Sequence, residues 1–221
     1  MTEYFEVHER DGAARVGELR LAASATTPAL VDDPDRRNLL RDAGSEWVAD
    51  REIPDGSEEF LTVLPHRGFP RGTDDEVQDA FAPDYPEMEA PSAAVVTPRT
   101  AEDCGADAYV LSGAPGYDGH ASALVDAIVS VREAVPDDTA LFLSGIATPQ
   151  SLPLLVYAGV DLFDTHRAVI RGTQGWYLTS DGETRLADLS PDELPCACDA
   201  CRAAADAGDL TRDRCVDHNV N

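Results

Sequence analysis

From residue 92 to residue 164, short apolar runs alternate with amphipathic stretches, and no other feature narrows the fold as much. The runs are "SAAVVTP" (92–98), "ADAYVLSG" (106–113), "TALFLSG" (139–145) and "VDLFD" (160–164). Strands buried on both faces read this way: continuous, short, and bounded by turn residues. Between them, "HASALVDAIVSVREAV" (120–135) sets Ala123, Leu124, Ala127, Ile128, Val131 and Val135 at helical spacing. "TPQSLPLLVYAG" (148–159) predicts a second helix, with Thr148 as N-cap and Pro149 at its first position. Strand, helix and strand joined by short connections imply parallel, right-handed βαβ units. Chemistry in such sheets gathers at the C-terminal ends of the strands. Here those ends are Ser112-Gly113, Ser144-Gly145 and Phe163-Asp164-Thr165-His166.

The first 91 residues are less regular. Asp11-Gly12 separates two roughly alternating segments in "YFEVHERDGAARVGELRLA" (4–22), a hairpin signal. "TTPALVDDPDRRNLLRDAG" (26–44) suggests a short strand, a loop and a short helix ending at Gly44. "EEFLTVLP" (58–65) reads as a strand closed by Pro65. Residues 70–91 are rich in Pro and acid, and read as a long surface loop with one short helix near 74–81.

Four of the five cysteines fall after residue 195. Cys196, Cys198 and Cys201 form C-x-C-x-x-C, and His218 lies close to the chain end. Three thiolates and one imidazole make a tetrahedral structural Zn2+ site with no open position for catalysis. Cys215, at C-x-x-H spacing from His218, competes for the fourth place. The expected organisation is a barrel-like domain over 1–190 and a zinc-binding segment over 191–221 that the metal pins to the body. Cys104 reads as a small packing residue.

The chain carries 42 acidic and 17 basic side chains, a formal net charge of −25, and every basic residue is Arg. Self-repulsion on that scale destabilises a compact fold in dilute buffer. At about 1 M salt the Debye length is only ~3 Å and distant charges hardly interact. An acidic, lysine-free surface therefore points to a halophile. In that setting net charge does not exclude a nucleic-acid partner. "MTEYFEVHER" lacks the basic and apolar regions of a secretory signal, and no apolar run is long enough to span a membrane. The expected location is cytoplasmic.

Asp164, closing the strand "GVDLFD", stands where a nucleophile, base or substrate ligand belongs in a parallel sheet. His166 follows within the same mouth. "PHRGFP" (65–70) puts His66 and Arg67 on a glycine-containing loop after a strand, where Arg can meet a phosphate or carboxylate. "GAPGYDG" (113–119) places Gly113 and Gly116 between a strand and a helix, where backbone can approach an anion, and Ser112 lies directly before it.

Three motifs in their order resemble the tRNA-guanine transglycosylase family. They are Thr27-Pro28-Ala29 after the hairpin, Gly145 to Pro149 leading into Gly159-Val160-Asp161-Leu162-Phe163-Asp164, and Cys196, Cys198, Cys201 with His218-Asn219. The resemblance implies an α/β fold, an abbreviated TIM-like (β/α) barrel with an N-terminal hairpin and a C-terminal zinc-binding segment. It maps the family nucleophile onto Asp164. The family's second carboxylate, on a D-S-G-G-F loop, aligns with Pro65-His66-Arg67-Gly68-Phe69, which has no Asp. That loss and the halophile composition resemble the archaeosine-synthase branch, whose members act on 7-cyano-7-deazaguanine already at position 15 of tRNA. The resemblance implies tRNA as partner through a PUA-containing module outside this chain, lysine as co-substrate, and a radical enzyme partner subunit. Two other readings stay open: a minimal tRNA-ribosyltransferase with Asp164 as nucleophile, and a non-catalytic scaffold.

Overall fold

The computed structural model describes residues 2–33, 38–42, 56–70, 72–81, 85, 88–191 and 194–221. Strands β1 (Phe5–Asp11) and β2 (Ala14–Leu19) pair antiparallel across the two-residue loop Gly12-Ala13, and β3 (Ala25–Thr27) adds to β2. Gly12 takes a φ of 63°, the positive value that tight hairpin loops require and that a Cβ disfavours.

The body is one parallel sheet. Its strands are β4 (Ala29–Leu30), β5 (Leu40–Asp42), β6 (Leu61–Val63), β7 (Ser92–Val96), β8 (Ala108–Leu111), β9 (Ala140–Leu143) and β10 (Leu162–Phe163). Their order across the sheet is β4-β10-β9-β8-β7-β6-β5. The helices are α1 (Asp75–Ala80), α2 (Ala121–Ala134), α3 (Leu152–Tyr157) and α4 (His166–Thr173). A β-hairpin of β11 (Trp176–Thr179) and β12 (Gly182–Arg185) follows, then α5 (Asp199–Ala207) and α6 (Arg212–Asn219).

The sheet curls until its two edges meet. The Val31 amide donates to the Phe163 carbonyl, the Val31 carbonyl accepts from the Leu39 amide (2.8 Å), and the Leu39 carbonyl accepts from the Leu61 amide (2.9 Å). One backbone hydrogen bond thus bridges the two edge strands. The side-chain pattern follows, because alternate strand residues face opposite sides. Leu61, Val63, Ala93, Val95, Ala108, Val110, Ala140, Phe142 and Leu162 form one buried cluster inside the curl. Ala94, Val96, Tyr109, Leu111, Leu141, Leu143 and Phe163 form another under α2 and α3. Near the strand starts, Ala93, Ala108 and Ala140 are level with one another. Phe5, Leu19 and Leu21 of the N-terminal hairpin region join the same buried cluster.

A buried ion pair fastens that hairpin to the closed end of the curl. Arg15 on β2 holds Asp161 through two hydrogen bonds, Nε at 2.7 Å and Nη2 at 2.5 Å. Its remaining donors reach the Asp137 and Thr139 carbonyls, and the Asp161 carboxylate also accepts from the Leu141 amide. Every group of this buried pair has a partner, which such a pair requires.

Two local expectations are corrected. The short helix expected to end at Gly44 is instead the edge strand β5 over Leu40–Asp42, with Gly44 itself outside the described residues. Leu39 is drawn into the interior, and the backbone beside it closes the sheet edge, which outweighs local helix preference. The helix expected from Thr148 begins at Leu152. Thr148 and Ser151 exchange backbone–side-chain hydrogen bonds in a turn that contains Pro149, and Pro153 takes the place in the first helical turn.

Candidate functional site

At the C-terminal ends of the strands the curl opens into a cavity of about 400 Å³. Its floor is apolar, with Val31, Val63, Val95, Val110 and Phe142. Its rim is polar and rich in acceptors, with Asp32, Asn38, Asp42, His66, Ser144, Asp164 and His166. That volume and that division suit a small, largely planar ligand with a polar edge.

Asp164 sits directly after β10, buried at 3% exposure. Its Oδ2 accepts from Ser144 Oγ at 2.5 Å and lies 2.9 Å from His166 Nδ1. Its Oδ1 accepts from the Gly145 amide at 2.8 Å and from the His166 amide at 3.3 Å. Gly145 reaches this position with a φ of 72°, a conformation other residues disfavour. Asp32 approaches the same turn from the end of the neighbouring strand β4. Its two carboxylate oxygens accept from the Thr165 amide (2.9 and 3.1 Å), and one also accepts from the Thr165 hydroxyl (2.8 Å). The start of α4 is therefore capped by two carboxylates 132 positions apart in sequence, a placement that also suits the positive end of a helix.

Of the residues singled out from sequence, the structure gathers His66, Ser112, Gly113, Asp164 and His166 around this cavity. Arg67 and Gly116 do not line it. Arg67 turns away, its guanidinium 4.4 Å from the centre of the Phe81 ring, and Gly116 donates its amide to Gly113 in a 3-10 turn. Asp32, Asn38 and Asp42 line the cavity without having been singled out. Asp32 and Asn38 adjoin Val31 and Leu39, whose backbone hydrogen bond brings the sheet edges together, and no local motif marks that closure. Ser144 carried the one readable signal, its place at the end of a buried strand.

The second centre is the cysteine cluster. The ligand atoms of Cys196, Cys198, Cys201 and His218 all lie within 4.8 Å of one another. His218 Nδ1 is 3.5 Å from Cys198 Sγ and 3.4 Å from Cys201 Sγ. A tetrahedral zinc site has S···N edges of roughly 3.6 Å, which these two distances match, and the residue types are those of a structural site. His218 Nε2 donates to the Leu178 carbonyl at 2.8 Å, which leaves the Nδ1 lone pair facing the thiols. The ring stacks on Tyr177 at 3.8 Å and 3°, and the Tyr177 hydroxyl lies 3.1 Å from Cys201 Sγ. Burial pushes the Cys201 thiol up to about 12, so a metal must displace its proton on binding. Cys215 is not in the cluster: it is fully buried and its thiol donates to the Trp176 carbonyl at 3.2 Å. The fold thus brings His218, and not Cys215, to the three cysteines.

Two packed helices join the two centres. The α6 helix, which carries His218, packs on α4, which begins beside Asp164. Gly172 makes the crossing close, since a Cβ there would stand 2.8 Å from Val216 Cα and 3.0 Å from its amide nitrogen. Asn219 completes the joint, donating to the Ala168 and Trp176 carbonyls and accepting from the Leu178 amide.

Comparison with known proteins follows this geometry. The family model for queuine tRNA-ribosyltransferase matches residues 84–212, which include β7 to β10, Asp164 and the three clustered cysteines. An archaeosine synthase of Haloferax volcanii is 60% identical over all 221 residues, which cover 36% of that protein. The archaeosine synthase subunit alpha of Methanosarcina acetivorans is 32% identical over 227 aligned positions, 94% of this chain and 36% of its own length. A tRNA-guanine(15) transglycosylase of Haloferax volcanii is 37% identical over 78 residues, 35% of this chain and 15% of that protein. The chain spans about a third of the length of the archaeosine synthases it matches. A relative from a haloarchaeon agrees with the lysine-free, acidic composition. With the match running over more than half of its length, from the sheet through the cysteine cluster, the chain belongs to the queuine tRNA-ribosyltransferase family.

Proposed function

We propose that this chain serves archaeosine biosynthesis as the transglycosylase-like domain of a tRNA-modifying protein, and that its cavity holds 7-cyano-7-deazaguanine at position 15 of tRNA. The observation that carries this is 60% identity along the whole chain to an archaeosine synthase, against 37% over only 78 residues to a transglycosylase. The apolar floor and acceptor-rich rim suit a flat purine-like ring whose edge carries N–H donors. Asp164, His166, His66 and Ser112 are the residues proposed to surround it, with Zn2+ held by Cys196, Cys198, Cys201 and His218. The metal's contribution is structural: it fixes α5 and α6, and through α6 the helix that starts at the cavity. The family resemblance extends the proposal to a cytoplasmic protein that works with a PUA-containing tRNA-binding module, lysine as co-substrate, and a radical enzyme partner. No helix among the described residues is long and apolar enough to cross a membrane.

The test is mass spectrometry of tRNA nucleosides from a haloarchaeal strain deleted for this gene, with and without the chain restored. Accumulation of the cyano-deazaguanine nucleoside on deletion is the expected result. Unmodified guanine at position 15 would instead assign the chain to base exchange, with Asp164 as nucleophile. Unchanged nucleosides would favour the scaffold reading.

A further inference from the structure

We propose that Asp164 is a positioning residue, and that the group it presents to the cavity is His166 Nε2. The inference rests on the base-binding reading above and names the atom that does the binding.

A carboxylate offers about four acceptor positions on its two oxygens. Asp164 fills them with the Ser144 hydroxyl, the Gly145 amide, the His166 amide and His166 Nδ1. The side chain is 2% exposed, whereas that of His166 is 67% exposed and lines the cavity. A nucleophilic or base-reading oxygen on Asp164 would have to shed one of these donors and find a path through them. The same contacts orient the His166 ring. In the neutral ring Nδ1–H donates to the carboxylate, 2.9 Å away, and the lone pair then lies on Nε2, free to accept. Among the described residues no protein group meets Nε2. Asp32 secures the other side of the turn through three hydrogen bonds to Thr165, so residues 164–166 are held from the ends of both strands that flank β10. A ring fixed in this way loses little freedom when a ligand arrives. The chemical class it selects is a planar heterocycle that points an amide or amidine N–H at the mouth, with its faces against Val95, Val110 and Phe142. In this arrangement the aspartate at the end of the barrel strand supports binding without attacking the sugar.

The experiment uses the metal-loaded chain at molar salt, labelled with 15N in its imidazoles, and 7-cyano-7-deazaguanine free base as probe. The wild-type spectrum is expected to show His166 as the Nδ1–H tautomer, with the Nε2 resonance shifting on titration. D164N should switch the tautomer, because an amide nitrogen then faces Nδ1. H166N, which keeps only the Nδ1 position, should weaken binding about tenfold, the value of one hydrogen bond. H166Q, which restores a polar atom near Nε2, should stay within about threefold of the wild type. Because Asp164 is buried and D164N can disturb folding, the two exposed His166 variants carry the decision. An Nε2–H tautomer in the wild type would overturn the proposal, as would H166N binding like the wild type. If the wild type binds no base, the base-binding reading fails, and the tautomer measurement alone then decides the pairing of Asp164 with His166.

Discussion

At the residue scale, the side chains that matter most are fixed by partners far away in sequence. Cys201 and Cys215 show how little residue type alone decides. Both are buried cysteines of the same segment, yet one faces His218 and the other donates to a backbone carbonyl. Cys201→Ser is expected to abolish stoichiometric metal, and Cys215→Ser to retain it, as read by metal analysis of the purified proteins at molar salt. Equal metal content in the two variants would contradict the assignment. Arg15 supports a second prediction. Replacing it with Ala leaves the Asp161 carboxylate buried without its main partner, which costs about 3–5 kcal/mol. The measurement is the denaturant midpoint of the metal-loaded chain. An unchanged midpoint would mean that the hairpin is not fastened as described.

At the scale of elements, the strands and helices after residue 92 could be read because each is long enough to show its own period. The α2 helix repeats at i, i+3, i+4 and i+7, and β7 to β9 are uninterrupted apolar runs. The closing strands could not be read. Strands β4 and β5 are two and three residues long, and what makes them strands is pairing with β10 and β6. The contribution of Asp32 to the cavity depends on that same closure, so it was equally hidden. A metal held by the cysteine cluster would act through the same elements. The close crossing at Gly172 predicts that Gly172→Ala destabilises the chain by about 1–3 kcal/mol through overpacking against the α6 backbone. Thermal unfolding would show it. Removal of the metal with a chelator should loosen α5 and α6 first, seen as faster amide exchange at Leu178 and over 199–219 while β7 to β9 remain protected. Uniform loss of protection would place the metal at the heart of global folding instead.

At the scale of the whole molecule, composition and fold answer to different conditions. The curled sheet buries two apolar clusters, one inside and one beneath its outer helices, while the surface carries most of a net charge of −25. At 0.1 M salt the Debye length is about 10 Å, against ~3 Å at 1 M, so repulsion among those carboxylates returns as salt is removed. The chain should unfold on dialysis to low salt and refold on its return, followed by tryptophan fluorescence; stability independent of salt would remove the halophile reading. The central claim is that the mouth of the curl is a base-binding cavity. The most direct measurement is a methyl NMR titration of the metal-loaded chain with 7-cyano-7-deazaguanine at molar salt. The account predicts saturable shifts confined to Val63, Val95 and Val110 at the cavity floor, with Ile128 and Leu155 beneath the outer helices unmoved. Shifts centred on the outer face, or none up to the solubility of the base, would contradict it.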